Sequence, residues 1–250
     1  MFTAPEAYDR FMGRYSAPLA PLLADYAAVA QGQRVLDVGC GPGALTAELV
    51  ARVGAEAVSA VDPSEPFVAA ARARHPGVDV RQGSAELLPF SDGVFDASLA
   101  QLVVHFMASP ADGLLEMARV TRGGGVVAAC VWDFTEGGGP LGHFWAAARE
   151  LDPGVDDESR RAGAREGHLA ALLQGAGLNE VEAATLTVDV EHAGFDEWWE
   201  PFTLGVGPAG TYFGSLDAEH RERLRESCAE SFPSGALTMR ARAWAARGVV

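Results

Sequence analysis

Two acids and three glycines stand where they could hold a nucleotide. Asp37 is followed by Gly39, Gly41 and Gly43, and Asp62 comes further along the chain. Glycine lacks a Cβ, so such a loop can turn sharply and let a ligand lie against the backbone. An acid at the distance of Asp62 suits the two hydroxyls of a ribose. Gly39, Gly41 and Ala44 also satisfy the G-x-G-x-x-G/A spacing of dinucleotide sites, which keeps a nicotinamide cofactor open as one reading. Asp37 argues for a different ligand. At the mouth of a strand its carboxylate would repel a pyrophosphate and attract an ammonium group. Gly43 adds a third position of close approach, as expected beneath an amino-acid moiety.

The elements around these residues fit that chemistry. Val35-Leu36-Asp37-Val38 reads as a buried strand, and Ala44 to Val50 as the helix after the loop. Over 31–133, strands are expected at 34–38, 57–61, 78–82, 96–100 and 125–131. Helices are expected at 45–53, 66–74 and 112–121. Short apolar strands alternating with helices predict a doubly wound, mostly parallel α/β sheet with ligands at the carboxyl ends of its strands. Residues 1–30 form a helical cover, with Pro18 and Pro21 bracketing a helix start. After Asp133 the pattern changes. An insertion spans 134–165, with a helix at 141–151 and a polar, mobile loop at 152–165. Residues 166–190 and 236–250 complete the sheet, and 191–235 form a lid over the substrate, including a Gly-rich stretch at 205–214. The whole chain reads as one domain.

Five ordered segments carry a resemblance. The first is Val35–Gly43. The second is Val58-Ser59-Ala60-Val61-Asp62, and the third is Gly83-Ser84-Ala85-Glu86-Leu87-Leu88-Pro89-Phe90. The fourth runs from Phe95 to Phe106, and the fifth is Arg119-Val120-Thr121-Arg122-Gly123-Gly124-Gly125-Val126-Val127. Together they resemble the motifs of class I S-adenosylmethionine-dependent methyltransferases, in particular the small-molecule group of the ubiquinone and menaquinone C-methyltransferases. The resemblance implies a seven-stranded Rossmann-like sheet with an antiparallel final strand. It also implies S-adenosyl-L-methionine as cofactor, S-adenosyl-L-homocysteine as product, and a small, apolar or aromatic methyl acceptor.

The same resemblance distributes roles. Asp37 would orient the cofactor's ammonium, Gly39, Cys40, Gly41 and Gly43 would form the loop beneath it, and Asp62 with Pro63 would hold the ribose. Ser84, Ala85 and Glu86 would face the adenine. Ser84 replaces the family's usual Asp and accepts a hydrogen bond more weakly than a carboxylate. Gln101 would touch the methionine portion. Tyr8 and Arg14 belong to a Y-D-R-x-x-x-R-Y segment similar to one that folds over the cofactor in relatives. His105, at the end of the fourth strand, and His143, in the insertion, are the candidate proton acceptors. Trp132, Phe144, Trp198, Trp199, Phe202 and Tyr212 would line the acceptor pocket, although such rings equally suit a packed core. His75, His168, His192 and His220 read as surface residues.

Composition narrows the alternatives. The formal net charge of −15 repels nucleic acid. All 19 basic residues are arginine, so no lysine can serve as base or in a Tyr-x-x-x-Lys hydride-transfer site. This weighs against an NAD(P)-dependent oxidoreductase. A non-catalytic protein that binds S-adenosylmethionine or its product is the other alternative. The three cysteines are dispersed, so no metal or disulfide framework is expected. No stretch reaches the roughly 20 apolar residues of a membrane span. Residence in the cytoplasm is expected, with no membrane partner and a homodimer as one possible assembly.

Overall fold

Val35–Val38 is buried along its whole length because it lies inside a seven-stranded sheet. The computed structural model describes residues 5–135 and 137–250. An N-terminal helical run comprises α1 (Pro5–Tyr8), a π-helical turn (Asp9–Gly13) and α2 (Arg14–Tyr26). Then follow β1 (Val35–Val38), α3 (Ala44–Val53), β2 (Val58–Asp62), α4 (Glu65–Arg74), β3 (Asp79–Gln82), β4 (Phe95–Gln101), α5 (Pro110–Val120) and β5 (Thr121–Trp132). The second half contains α6 (Gly142–Leu151), α7 (His168–Gly175), β6 (Asn179–His192), α8 (Phe195–Trp199), α9 (Gly207–Ser215), α10 (Ala218–Glu230) and β7 (Leu237–Val249).

The strand order is β3-β2-β1-β4-β5-β7-β6. Strands β1 to β5 pair in parallel, while β7 runs antiparallel to both β5 and β6. This is the expected mostly parallel sheet with its antiparallel last strand. Along β7, Leu237, Met239, Ala241, Ala243 and Ala245 are buried, as the period of two in the sequence predicts. The order reverses between β1 and β4, so a crevice opens at their carboxyl ends. Gly39 and Val103 meet there. A Cβ on Gly39 would lie 2.5 Å from the Val103 methyls, so only glycine lets the loop after β1 approach the lip after β4. Leu102, the first residue of that lip, holds a left-handed backbone at φ +62°.

Four expectations need correction. Pro18 and Pro21 lie inside α2 instead of marking its start, because the chain is already helical from residue 5. The stretch expected to be mobile at 152–165 is anchored. The Asp157 carboxylate accepts from the Ser159 amide and hydroxyl and pairs with Arg149, and Glu158 is buried. The Gly-rich stretch at 205–214 contains α9, which opens with Pro208 in its first turn. His192, read as exposed, is buried, with its Nε2 2.8 Å from the Tyr15 hydroxyl.

Candidate functional site

A cavity of about 670 Å³ occupies the crevice. Its floor is Gly39, Gly41, Asp62, Pro63 and Ser64, with Gln101, Leu102 and Val103 opposite. Tyr8 and Phe67 close one side. Trp145, Val155, Asp156 and Arg161 from the segment after β5, with Gly207, Pro208, Thr211 and Tyr212 from the segment between β6 and β7, form the remaining wall along with Phe106.

The acids at the floor are held in different ways. Asp62 accepts from the Gly41 amide through Oδ2 and from the Ser64 amide through Oδ1, both at 2.8 Å. Burial pushes its carboxyl up, and the two amides pull the other way. Asp37 is buried below the cavity wall, where the Thr46 hydroxyl donates to its Oδ2 at 2.6 Å. Burial, with a smaller contribution from Asp62, pushes its carboxyl up to about 7. Burial also holds the Cys40 thiol protonated, and that thiol donates to the Gly41 carbonyl.

Seven residues expected at the site come together on the cavity wall: Tyr8, Gly39, Gly41, Asp62, Pro63, Gln101 and Tyr212. The others stand elsewhere. Gly43 is fixed by packing, since a Cβ there would strike the His75 ring, whose Nε2 lies 3.1 Å from the Gly43 carbonyl oxygen. Ser84 gives its hydroxyl to Glu86, whose carboxylate also takes the Ala108 and Ser109 amides. Ala85 is buried behind them. Arg14 reaches away from the cavity, to the Glu191 carbonyl and the Glu197 carboxylate.

The two histidines and most of the aromatic residues are also off the wall. His105 is buried in a small annex of about 30 Å³ behind Phe106, together with Trp132 and Glu158. Burial and the nearby Arg161 charge bring its imidazole down to about 3, which makes it a weak proton acceptor. Its Nδ1 and the Trp132 Nε1 have no protein partner among the described residues. His143 packs against Phe232 and Trp198, well inside the second half of the chain. Phe144 and Phe202 stack face to face, 4.5 Å apart at 1°, with Trp198 and Trp199 around them. All four rings are buried. They form an aromatic core between α6 and residues 198–202, whereas Trp145, one residue from Phe144 on α6, reaches the cavity.

The sequence reading missed Ser64, Phe67, Leu102, Val103, Phe106, Trp145, Val155, Asp156, Arg161, Gly207, Pro208 and Thr211 as wall residues. Glu158 was missed as well. It is buried with a left-handed backbone at φ +65°, and the Trp145 Nε1 donates to its carboxyl at 3.1 Å. Burial pushes that carboxyl up to about 7, against the pull of Arg161.

The cavity fits S-adenosylmethionine. A Cβ on Gly41 would meet no protein atom, so the backbone there is left bare toward the cavity. Asp62 is held on the floor by two backbone amides. The Gln101 Oε1 is a buried acceptor with no protein partner among the described residues, and its Nε2 is fixed on the Ser16 carbonyl at 2.9 Å. No group of His, Cys, Asp and Glu suited to a metal is present among the described residues.

Comparison with known proteins identifies the family and the fold. A family model described as a methyltransferase domain matches residues 36–129. The chain is 36% identical over 189 residues to an uncharacterized methyltransferase of Mycobacterium marinum, covering 70% of this chain and 69% of that protein. It is 40% identical over 105 residues to the malonyl-[acyl-carrier protein] O-methyltransferase of Erwinia billingiae, covering 42% of this chain and 41% of that protein. The chain spans about two fifths to one half of the length of the first curated relatives it matches. Among solved structures, the YcgJ protein of Bacillus subtilis shares the fold with a TM-score of 0.59 and 18% identity, covering 93% of this chain and 97% of that one.

Proposed function

From the premise that the chain belongs to the class I S-adenosylmethionine-dependent methyltransferases, we propose that it moves the cofactor's methyl group to a small acceptor held at the far end of the same cavity. The observation that carries this reading is the Asp62 carboxylate, fixed by two backbone amides on the floor of a cavity whose wall also includes Gln101, with its Oε1 lacking a protein partner among the described residues. Asp62 takes the ribose hydroxyls, Gln101 takes a donor of the methionine portion, and Asp37 gives up its proton to supply negative charge beneath the loop when the cofactor's ammonium binds. When bound, the sulfonium of the cofactor supplies an electrophilic methyl group.

The chain's own residues orient and enclose. Phe106, Trp145 and Tyr212 give a flat apolar body its surface, and Tyr8 covers the cofactor from the N-terminal helix. Enclosure by the three segments outside the sheet excludes water and sets the acceptor in line for displacement. His105 is not required to take a proton in this reading, since burial keeps it neutral and weakly basic.

Calorimetric titration with S-adenosylmethionine and S-adenosylhomocysteine, with NAD and NADP as controls, tests the cofactor. Micromolar binding of the first pair alone is expected. Release of S-adenosylhomocysteine over a panel of small acceptors then tests catalysis. Binding with no turnover on any acceptor would favour a non-catalytic binder, and binding of the nicotinamides would overturn the reading.

A further inference from the structure

Among the described residues the cavity wall carries one cation, Arg161. Its guanidinium donates no hydrogen bond among the described residues. It lies 3.4 Å from Glu158 Oε1 and 3.6 Å from Asp156 Oδ2, the longest ion pairs in the described structure. By contrast, Arg119 on the outer surface makes pairs of 2.6 Å with both Asp92 and Glu116. The Arg161 guanidinium lies over the Phe106 ring, 5.6 Å from its centroid, a contact that favours its place on the wall. A guanidinium offers five N–H donors in a planar fork that matches a carboxylate. Here that fork has two long ion pairs and makes no hydrogen bond among the described residues.

A second group on the same wall lacks a partner. The Tyr212 hydroxyl is buried and makes no hydrogen bond among the described residues. A hydroxyl left in this state costs free energy unless a ligand meets it. We propose that the acceptor bears a carboxylate, bound by the Arg161 guanidinium and the Tyr212 hydroxyl, with its apolar body against Phe106 and Trp145. This rests on the methyl-transfer reading above and adds the chemical class of the acceptor.

The surrounding charges select a single negative charge. Asp156 has a 77% exposed side chain, and an exposed pair of that kind is worth little, so a ligand carboxylate displaces it at small cost. Glu158 stays behind the guanidinium, held by the Trp145 indole N–H. Burial favours its neutral form and leaves the Arg161 charge available. A dianion such as a phosphate monoester would bring a second charge against the Asp156 carboxylate and is disfavoured.

The test uses the full chain saturated with S-adenosylhomocysteine. The probes are 4-hydroxycinnamate, indole-3-acetate and decanoate, each paired with its primary amide, and binding is read by calorimetry. At least one carboxylate should bind about tenfold more tightly than its amide, as a charge-assisted fork requires. Arg161→Gln should abolish that preference, and Arg161→Lys should restore part of it. Tyr212→Phe should weaken carboxylate binding several-fold. S-adenosylhomocysteine affinity should be unchanged in all three, which also shows that they fold. The proposal is overturned if no carboxylate outbinds its amide, or if the preference survives in Arg161→Gln. Failure of S-adenosylhomocysteine to bind the wild-type protein would instead overturn the methyl-transfer reading, and this proposal with it.

Discussion

The Gly41 amide donates to the Asp62 carboxylate at 2.8 Å, tying the loop after β1 to the end of β2. The bond fixes the carboxylate before any ligand arrives, so two ribose hydroxyls would meet an acceptor already in place. Asp62→Ala should therefore weaken S-adenosylmethionine binding by roughly 2–4 kcal/mol, the worth of two charge-assisted hydrogen bonds. Calorimetry reads this directly. Unchanged affinity would remove Asp62 from the ribose site.

Asp37 gives a prediction with a definite sign. Its carboxyl is raised to about 7 in the folded chain, against about 3.9 in an unfolded one. The folded state therefore holds this proton more tightly. The stabilising contribution is complete below pH 4 and is lost as pH rises through 7. Asp37→Asn removes the titration while an amide oxygen can still accept from Thr46. Without ligand, the variant should gain stability relative to the wild type between pH 5 and pH 8, by something on the order of 2–4 kcal/mol. Chemical denaturation at the two pH values measures the difference, and a difference that stays constant would contradict a buried, titrating Asp37.

How much of this was legible in the sequence depends on range. The strands and the loop around Asp37, Gly39, Gly41 and Asp62 are local patterns, and the fold places them as the spacing predicts. Gly43 shows where such reading stops: its lack of a Cβ serves contact with His75, far away in sequence. Trp198, Trp199 and Phe202 looked like pocket residues because aromatic rings suit both a pocket and a core. Only the packing of 195–204 against α6 decides between them. Trp145 and Phe144 are adjacent, so a helix turns them about 100° apart, and one reaches the cavity while the other enters the core. Arg161 had no local signal at all, because its position depends on the anchoring of Asp157 and Glu158.

The stack of Phe202 on Phe144 predicts a loss of stability without a loss of cofactor binding. Phe202 is 1% exposed and also meets Phe11 edge-on at 5.0 Å, joining the N-terminal helical run to the aromatic core around Phe144. Phe202→Ala should cost about 3–5 kcal/mol of folding free energy, and Phe202→Leu considerably less. S-adenosylmethionine affinity of the leucine variant should match the wild type. A large drop in affinity with an unchanged melting temperature would instead make Phe202 a ligand contact.

His105 sets the last expectation, which concerns pH. Burial and the charge of Arg161 lower its imidazole from 6.5 to about 3. The folded state therefore rejects the proton that the unfolded chain takes up near pH 6.5. The stabilising effect is present above that pH and is lost as pH falls toward 3. Over pH 5.5–9 the ring stays neutral in the folded protein, so the rate of methyl transfer should show no ionisation that belongs to it. His105→Gln preserves a polar side chain in the annex. Its pH–rate profile should have the same shape as that of the wild type, and its stability relative to the wild type should rise between pH 8 and pH 5 as the burial penalty on the imidazolium disappears. An inflection near pH 6.5 present in the wild type and absent from the variant would identify His105 as a proton acceptor, and would mean that the annex admits far more water than its buried, partnerless Nδ1 implies.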